Sequence, residues 1–84
     1  MNTIKWHIRA IRQLNKIQHQ DRVSIKDAVS TLLNIESARN VKRLTNHDYG
    51  YRLRVGRYRV LFDLYSDVSI IEIQEVKKRD ESTY

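Results

Sequence analysis

Near the start of the chain Ile4, Trp6 and Ile8 alternate with Lys5 and His7, the period-2 pattern of a half-buried strand. The spacing then changes. Ile11, Leu14 and Ile17 form one stripe and predict a helix over roughly residues 9–19. A clearer amphipathic helix follows, because Ile25, Ala28, Val29, Leu32 and Leu33 keep the i, i+3, i+4, i+7, i+8 series. Asp21 or Ser24 could cap its start, Ser24 with Asp27 resembles a capping box, and an end is expected near Asn34 to Ser37. Residues 39–48 are polar and without period, which predicts a loop.

From residue 51 onward the pattern is that of strands. "YRLRV", "YRVLFDLY" and "VSIIEIQEV" are rich in β-branched and aromatic residues and are separated by turn signals at Gly56-Arg57 and Ser66-Asp67. A two-residue type II′ turn at Gly56-Arg57 sets a register: Val55 opposes Tyr58, Arg54 opposes Arg59, Leu53 opposes Val60 and Arg52 opposes Leu61. Directly opposed residues share a face. Tyr51, Leu53, Val55, Tyr58, Val60 and Phe62 therefore form an apolar face, and Arg52, Arg54 and Arg59 gather on the other. The expected fold class is α+β: a twisted antiparallel sheet in the order β-α-α-β-β-β, with two helices packed on one face and a basic concave face opposite.

Size and composition change the picture in two ways. With 84 residues, no proline, two glycines and 40% hydrophobic residues, the chain reads as a single domain over residues 1–84, and a domain of this size buries only about 60% of its unfolded surface. It has no cysteine, so neither disulfides nor thiolate metal sites can staple it. The charged N-terminus has no apolar run of signal-peptide or membrane-span length, so a cytoplasmic protein without membrane contact is expected. The formal net charge is +6 and the pI near 9.9, which favours phosphate-rich partners.

The placement of that charge says more than its sum. Between Ser37 and Val60 stand Arg39, Lys42, Arg43, Arg52, Arg54, Arg57 and Arg59 against a single acid, Asp48, and Lys77, Lys78 and Arg79 follow near the C-terminus. Arg54 opposite Arg59 is a like-charge pair that destabilises a hairpin. The side chains could be ordinary solvated positions on the outer face of a one-sided sheet, or a phosphate-binding surface. Their type favours the second, since arginine carries a rigid fork of donors that matches phosphate oxygens.

The sequence also resembles a known family. "KRL" at 42–44, "YRLRVGRYRVLFDL" at 51–64 and "EVKKRDESTY" at 75–84, following a strand and two helices, are similar over essentially the whole chain to the RelE/ParE toxin superfamily of bacterial toxin–antitoxin systems, and favour its RelE branch. The resemblance implies a ribosome-dependent endoribonuclease, an mRNA interferase that cuts message in the A site. It also implies a RelB-like antitoxin as partner in a hetero-oligomer. It assigns the catalytic roles to Arg52 and Arg54 as the basic pair facing substrate, Arg59 as the phosphate-binding arginine, Arg79 of the Lys-Arg pair, and the terminal Tyr84. Arg39, Lys42, Arg43, Arg57, Lys77 and Lys78 are the expected accessory RNA contacts. Both members of the first pair are arginine where the RelE pattern has lysine.

Cleavage by the 2′-hydroxyl needs a base, cationic stabilisation of the charge on phosphorus, and an acid for the 5′-oxygen. Arginine supplies the second and cannot supply the first, because it stays protonated. The base then falls to Tyr84, with its hydroxyl made more acidic by surrounding cations, and Arg79, Lys77 or Lys78 would assist the leaving group. No metal or cofactor is expected: His7, His19 and His47 are scattered without metal-ligand spacing, and His47, just before the arginine strand, is the best placed of them for a chemical role. Trp6 and Tyr51 are expected to pack, while Tyr49 could stack on a base. Two other functions keep the fold with different targets: a ParE-like inhibitor of DNA gyrase, and a non-catalytic RNA-binding module.

Overall fold

A computed structural model describes residues 1–79 of the chain. Five strands, β1 (Thr3–Trp6), β2 (Val41–Arg43), β3 (Tyr51–Val55), β4 (Tyr58–Tyr65) and β5 (Ile70–Lys78), form one sheet in the order β1-β5-β4-β3-β2. Two helices, α1 (Ile8–Asn15) and α2 (His19–Ser30), lie between β1 and β2 in the chain. One layer of core joins them to the sheet: Ala10, Leu14, Ile25, Val29 and Leu32 pack against Leu53, Val60, Phe62, Ile71, Ile73 and Val76. Ile4, Trp6 and Tyr51 border that core, and the ring of Tyr51 stacks on Phe62 at 5.3 Å and 12°. Among the described residues no helix is long and apolar enough to cross a membrane.

The sheet is mixed rather than wholly antiparallel. β1 runs parallel to β5, with Thr3 opposite Ile70 and Trp6 opposite Ile73, because the chain crosses over through α1 and α2 before it returns as the meander β3-β4-β5. β2 is the strand that residues 39–48 conceal. It has only three residues, pairs Val41 with Leu53, Lys42 with Arg52 and Arg43 with Tyr51, and has too few apolar positions to announce a period. Asn40 (φ 63°) and Asn46 (φ 53°) turn the chain on either side of it; asparagine tolerates this left-handed region better than most residues.

The helices also depart from expectation at their ends. α1 stops at Asn15, leaving Ile17 in the link, and is capped at its start by His7, whose Nδ1 accepts from Arg9 N at 3.1 Å. α2 starts at His19 after Gln18, with no side-chain cap. The expected capping box at Ser24 is therefore inside the helix, where the hydroxyl of Ser24 donates to Gln20 O at 3.2 Å. The far end tightens into a 3-10 segment over Thr31–Ser37. Ser30 and Thr31 donate to Asp27 O and Ala28 O, both at 2.6 Å, and such local side-chain bonds compete with α geometry.

The β3–β4 hairpin has the predicted register at every pair, including Arg54 opposite Arg59 and Leu53 opposite Val60. Gly56 at its tip has φ 56°, and Arg57 does not have positive φ, the pattern of a type II′ turn. One irregularity matters for the outer face. Leu61 opposes Glu75 but Phe62 opposes Ile73, so Gln74 is an extra residue in β5, a β-bulge.

Candidate phosphate-binding face

Strand pairing arranges the outer face in rows. Arg54, Arg59 and Lys77 form one across β3, β4 and β5. Lys42, Arg52, Leu61 and Glu75 form the next, and Asp63, Glu72 and Lys5 a third. The face thus carries a gradient along the strands, cationic beside the hairpin tip and acidic two rows away at Asp63 and Glu72.

At the cationic end the arginines act on one another. Burial, followed by the charges of Arg54, Arg59 and Arg79, holds Arg52 below the usual arginine pKa. Arg79 takes its place where β5 ends, its N–H donating to Arg57 O at 2.6 Å. Among the described residues the single ion pair is Lys77 Nζ to Glu75 Oε2 at 3.9 Å, so none of the four arginines has an acidic partner there. The Nε atoms of Arg52 and Arg59 are buried without a hydrogen-bond partner among the same residues. A buried donor left unpaired costs about 1–3 kcal/mol. Two such donors beside mutually repelling cations cost stability, and an anion seated among them would offset that cost.

The other expected contacts divide. Lys42 and Lys77 share the outer face with the cluster, while Arg39 lies beside Arg54 in a recess at the sheet margin with Ala28, Thr31, Ser37 and Asn40. Arg43, opposite Tyr51 on the helix-facing row, is exposed at the sheet edge. Arg57 and Lys78 line a separate cleft with Lys16, Ile17, Asp21 and Tyr58, because Lys78 alternates with Lys77 and so turns to the helix side. Tyr84 lies outside the described residues. No group of three or more metal-ligating side chains occurs among the described residues.

Beside the cluster lies a polar network that sequence reasoning misses. Arg9 Nη1 donates to the hydroxyl of Tyr49 at 2.8 Å, and that hydroxyl donates to Glu75 Oε2 at 2.8 Å. Gln13 closes the open edge of β5, its Nε2 donating to Glu75 Oε1 at 3.2 Å and its Oε1 accepting from Val76 N at 2.7 Å. Burial alone pushes the Glu75 carboxyl up, but the hydrogen bonds from Tyr49 and Gln13 and the charges of Lys77 and Arg9 outweigh it, and the pKa is held below the usual carboxylate value. The hydrogen bond to Glu75, then burial and the charge of Glu75, raise that of Tyr49. The one sequence signal is the break in β5 alternation, where the apolar series Ile71, Ile73 continues at Val76 and so marks the bulge.

No family model matches the chain, and no curated protein does. Solved structures do. The archaeal RelE–RelB complex from Pyrococcus horikoshii contains a chain that matches with a TM-score of 0.81 and 21% identity, over 95% of this chain and 97% of that one. The isolated RelE toxin of Escherichia coli matches with a TM-score of 0.79 and 16% identity, over 99% and 92%. In the toxin–antitoxin complex RelBE2 from Mycobacterium tuberculosis the values are 0.78 and 22%, over 93% and 98%. At these identities the likeness establishes architecture, and with near-complete coverage on both sides the chain has the RelE toxin fold.

Proposed function

We propose that this protein is the toxin of a type II toxin–antitoxin system and acts as a ribosome-dependent endoribonuclease on messenger RNA. The observation that carries the reading is the convergence of Arg52, Arg54, Arg59 and Arg79 on one face, with two buried guanidinium donors unpaired among the described residues. In the proposed reaction the 2′-hydroxyl attacks the adjacent phosphorus, a 2′,3′-cyclic phosphate forms, and the 5′-oxygen leaves with a proton. Arg59 and its neighbours offset the negative charge that builds on phosphorus. Arginine remains protonated throughout, so the base is a different group; the family resemblance gives that role to Tyr84, and Arg79, Lys77 or Lys78 assist the leaving oxygen.

A chain with so few candidate bases depends on the ribosome to align the message for in-line attack. Its cytoplasmic partner is an antitoxin segment, acidic or amphipathic, that blocks the cationic face. The RelB complexes among the similar structures support a partner of this kind. Brief induction in cells, followed by mapping of message ends and plasmid supercoiling, tests the reading. Cuts in translated message with unchanged supercoiling are expected; relaxed or damaged DNA with intact message would instead indicate a gyrase inhibitor.

A further inference from the structure

The outer face does not end at the arginines. We propose that the ring of Tyr49, backed by His47, is a stacking platform for a nucleobase next to the phosphate that the arginines hold. The proposal rests on the reading of this face as an RNA site.

The Tyr49 side chain leaves the loop before β3, yet its hydroxyl meets Glu75 on β5. It must therefore cross β4, on the face where Leu61 is buried to 3% exposure outside the main core. Arg9 and Glu75 hold the hydroxyl from both sides at 2.8 Å, which fixes the ring while leaving it only half-buried. His47 is exposed, its ring centroid is 6.0 Å from that of Tyr49 with a 46° tilt, and its Nδ1 accepts from Tyr49 N at 3.1 Å. The Tyr49 ring is thus held by Arg9 and Glu75, and the His47 ring by the loop's own hydrogen bond, beside the row that carries Lys42, Arg52 and Glu75.

Charge decides which part of a nucleotide fits here. Glu75 lies at the end of that row, and Asp63 and Glu72 stand beyond it. Arg9 on the Tyr49 hydroxyl and Lys77 on Glu75 offset part of that negative charge, and a phosphate is drawn more strongly to the Arg54–Arg59–Lys77 row than to the neighbourhood of Tyr49. A neutral base is not. Neighbouring rows on one face lie about 7 Å apart along the strands, a span a nucleotide bridges between phosphate and base. Each oxygen of the Glu75 carboxylate already accepts one hydrogen bond, from Tyr49 and from Gln13, and the ring face is the larger contact offered to a base. The platform therefore adds affinity and register, tolerant of sequence because every base has a π-face.

The test uses short RNAs made uncleavable by 2′-deoxy substitution, with 2-aminopurine placed in turn at each codon position and presented both free and in the A site of programmed ribosomes, and the full chain as wild type, Tyr49→Phe and Tyr49→Ala. Wild type should quench one probe position. Tyr49→Phe, which keeps the ring but loses the two bonds that fix it, should bind between wild type and Tyr49→Ala and still quench. Tyr49→Ala should bind about 10-fold more weakly than wild type, without quenching. An abasic residue at that position should weaken wild-type binding by the same factor, an arm that requires no protein variant. If the abasic RNA binds wild type as well as the parent RNA, or Tyr49→Ala binds and quenches as wild type does, there is no stacking platform and the network only positions α1. Wild type that binds none of the RNAs, either free or in the A site of programmed ribosomes, overturns the RNA reading and this proposal together.

Discussion

Arg54 stands directly opposite Arg59 across the β3–β4 hairpin, and Lys77 extends the row on the next strand. Like charges in this position oppose pairing by a few tenths of a kcal/mol up to about 1 kcal/mol. Arg54→Thr should accordingly raise the urea midpoint, by about 0.5 kcal/mol of stability, since threonine also suits a strand. The same change should weaken binding to a polyanion and reduce its salt slope by about one. A destabilised variant would mean that Arg54 makes a stabilising contact and that repulsion does not govern this row.

Gly56 needs its backbone freedom and not its small size. An added Cβ would meet no atom within 4 Å, but φ is 56°, where an ordinary L-residue costs about 1–2 kcal/mol. Gly56→Ala should lose about 1 kcal/mol by chemical denaturation, and Gly56→Asn clearly less. Equal losses for the two would point to a steric cause that the open space around Gly56 excludes.

Glu75 links stability to pH. Its pKa in the folded chain lies below the ordinary 4.5, so the stabilisation from the ionised carboxylate is present above the unfolded value and lost as pH falls through the folded one. Glu75→Gln should be less stable than wild type at pH 7 by about 1–2 kcal/mol. The gap should narrow as pH falls below 4.5 and close once the pH is below the folded value, where wild type is protonated too. Urea denaturation at several pH values measures this directly, and a gap that is constant with pH would remove Glu75's charge from the account.

Much of the fold is legible in the order of residues alone. The hairpin register and its two faces follow from one glycine and the alternation around it, because a period of two leaves no freedom once the turn is set. The core face of α2 through Ile25, Val29 and Leu32 is equally plain. β2 is hidden, since three residues carry too little pattern and its place depends on pairing with β3. The parallel partner of β1 is hidden as well, because nothing local to Thr3–Trp6 names β5. In the site, the arginines of one hairpin are predictable, whereas the meeting of Arg9, Tyr49 and Glu75 joins residues 40 and 26 positions apart and arises only from the tertiary fold.

The central claim is that Arg59 stabilises charge on the scissile phosphate, and Arg59→Ala tests it most directly when stability and cleavage are measured on the same preparation. The side chain leaves the sheet on the outer face, and its Nε has no partner among the described residues. Its loss removes an unpaired buried donor and the repulsion from Arg54, so it should raise unfolding free energy, by about 1 kcal/mol, and not lower it. Cleavage of ribosome-bound message should fall about 100- to 1,000-fold, the loss of on the order of 3 kcal/mol of transition-state stabilisation. A stably folded Arg59→Ala protein that cuts message at the wild-type rate would contradict the account.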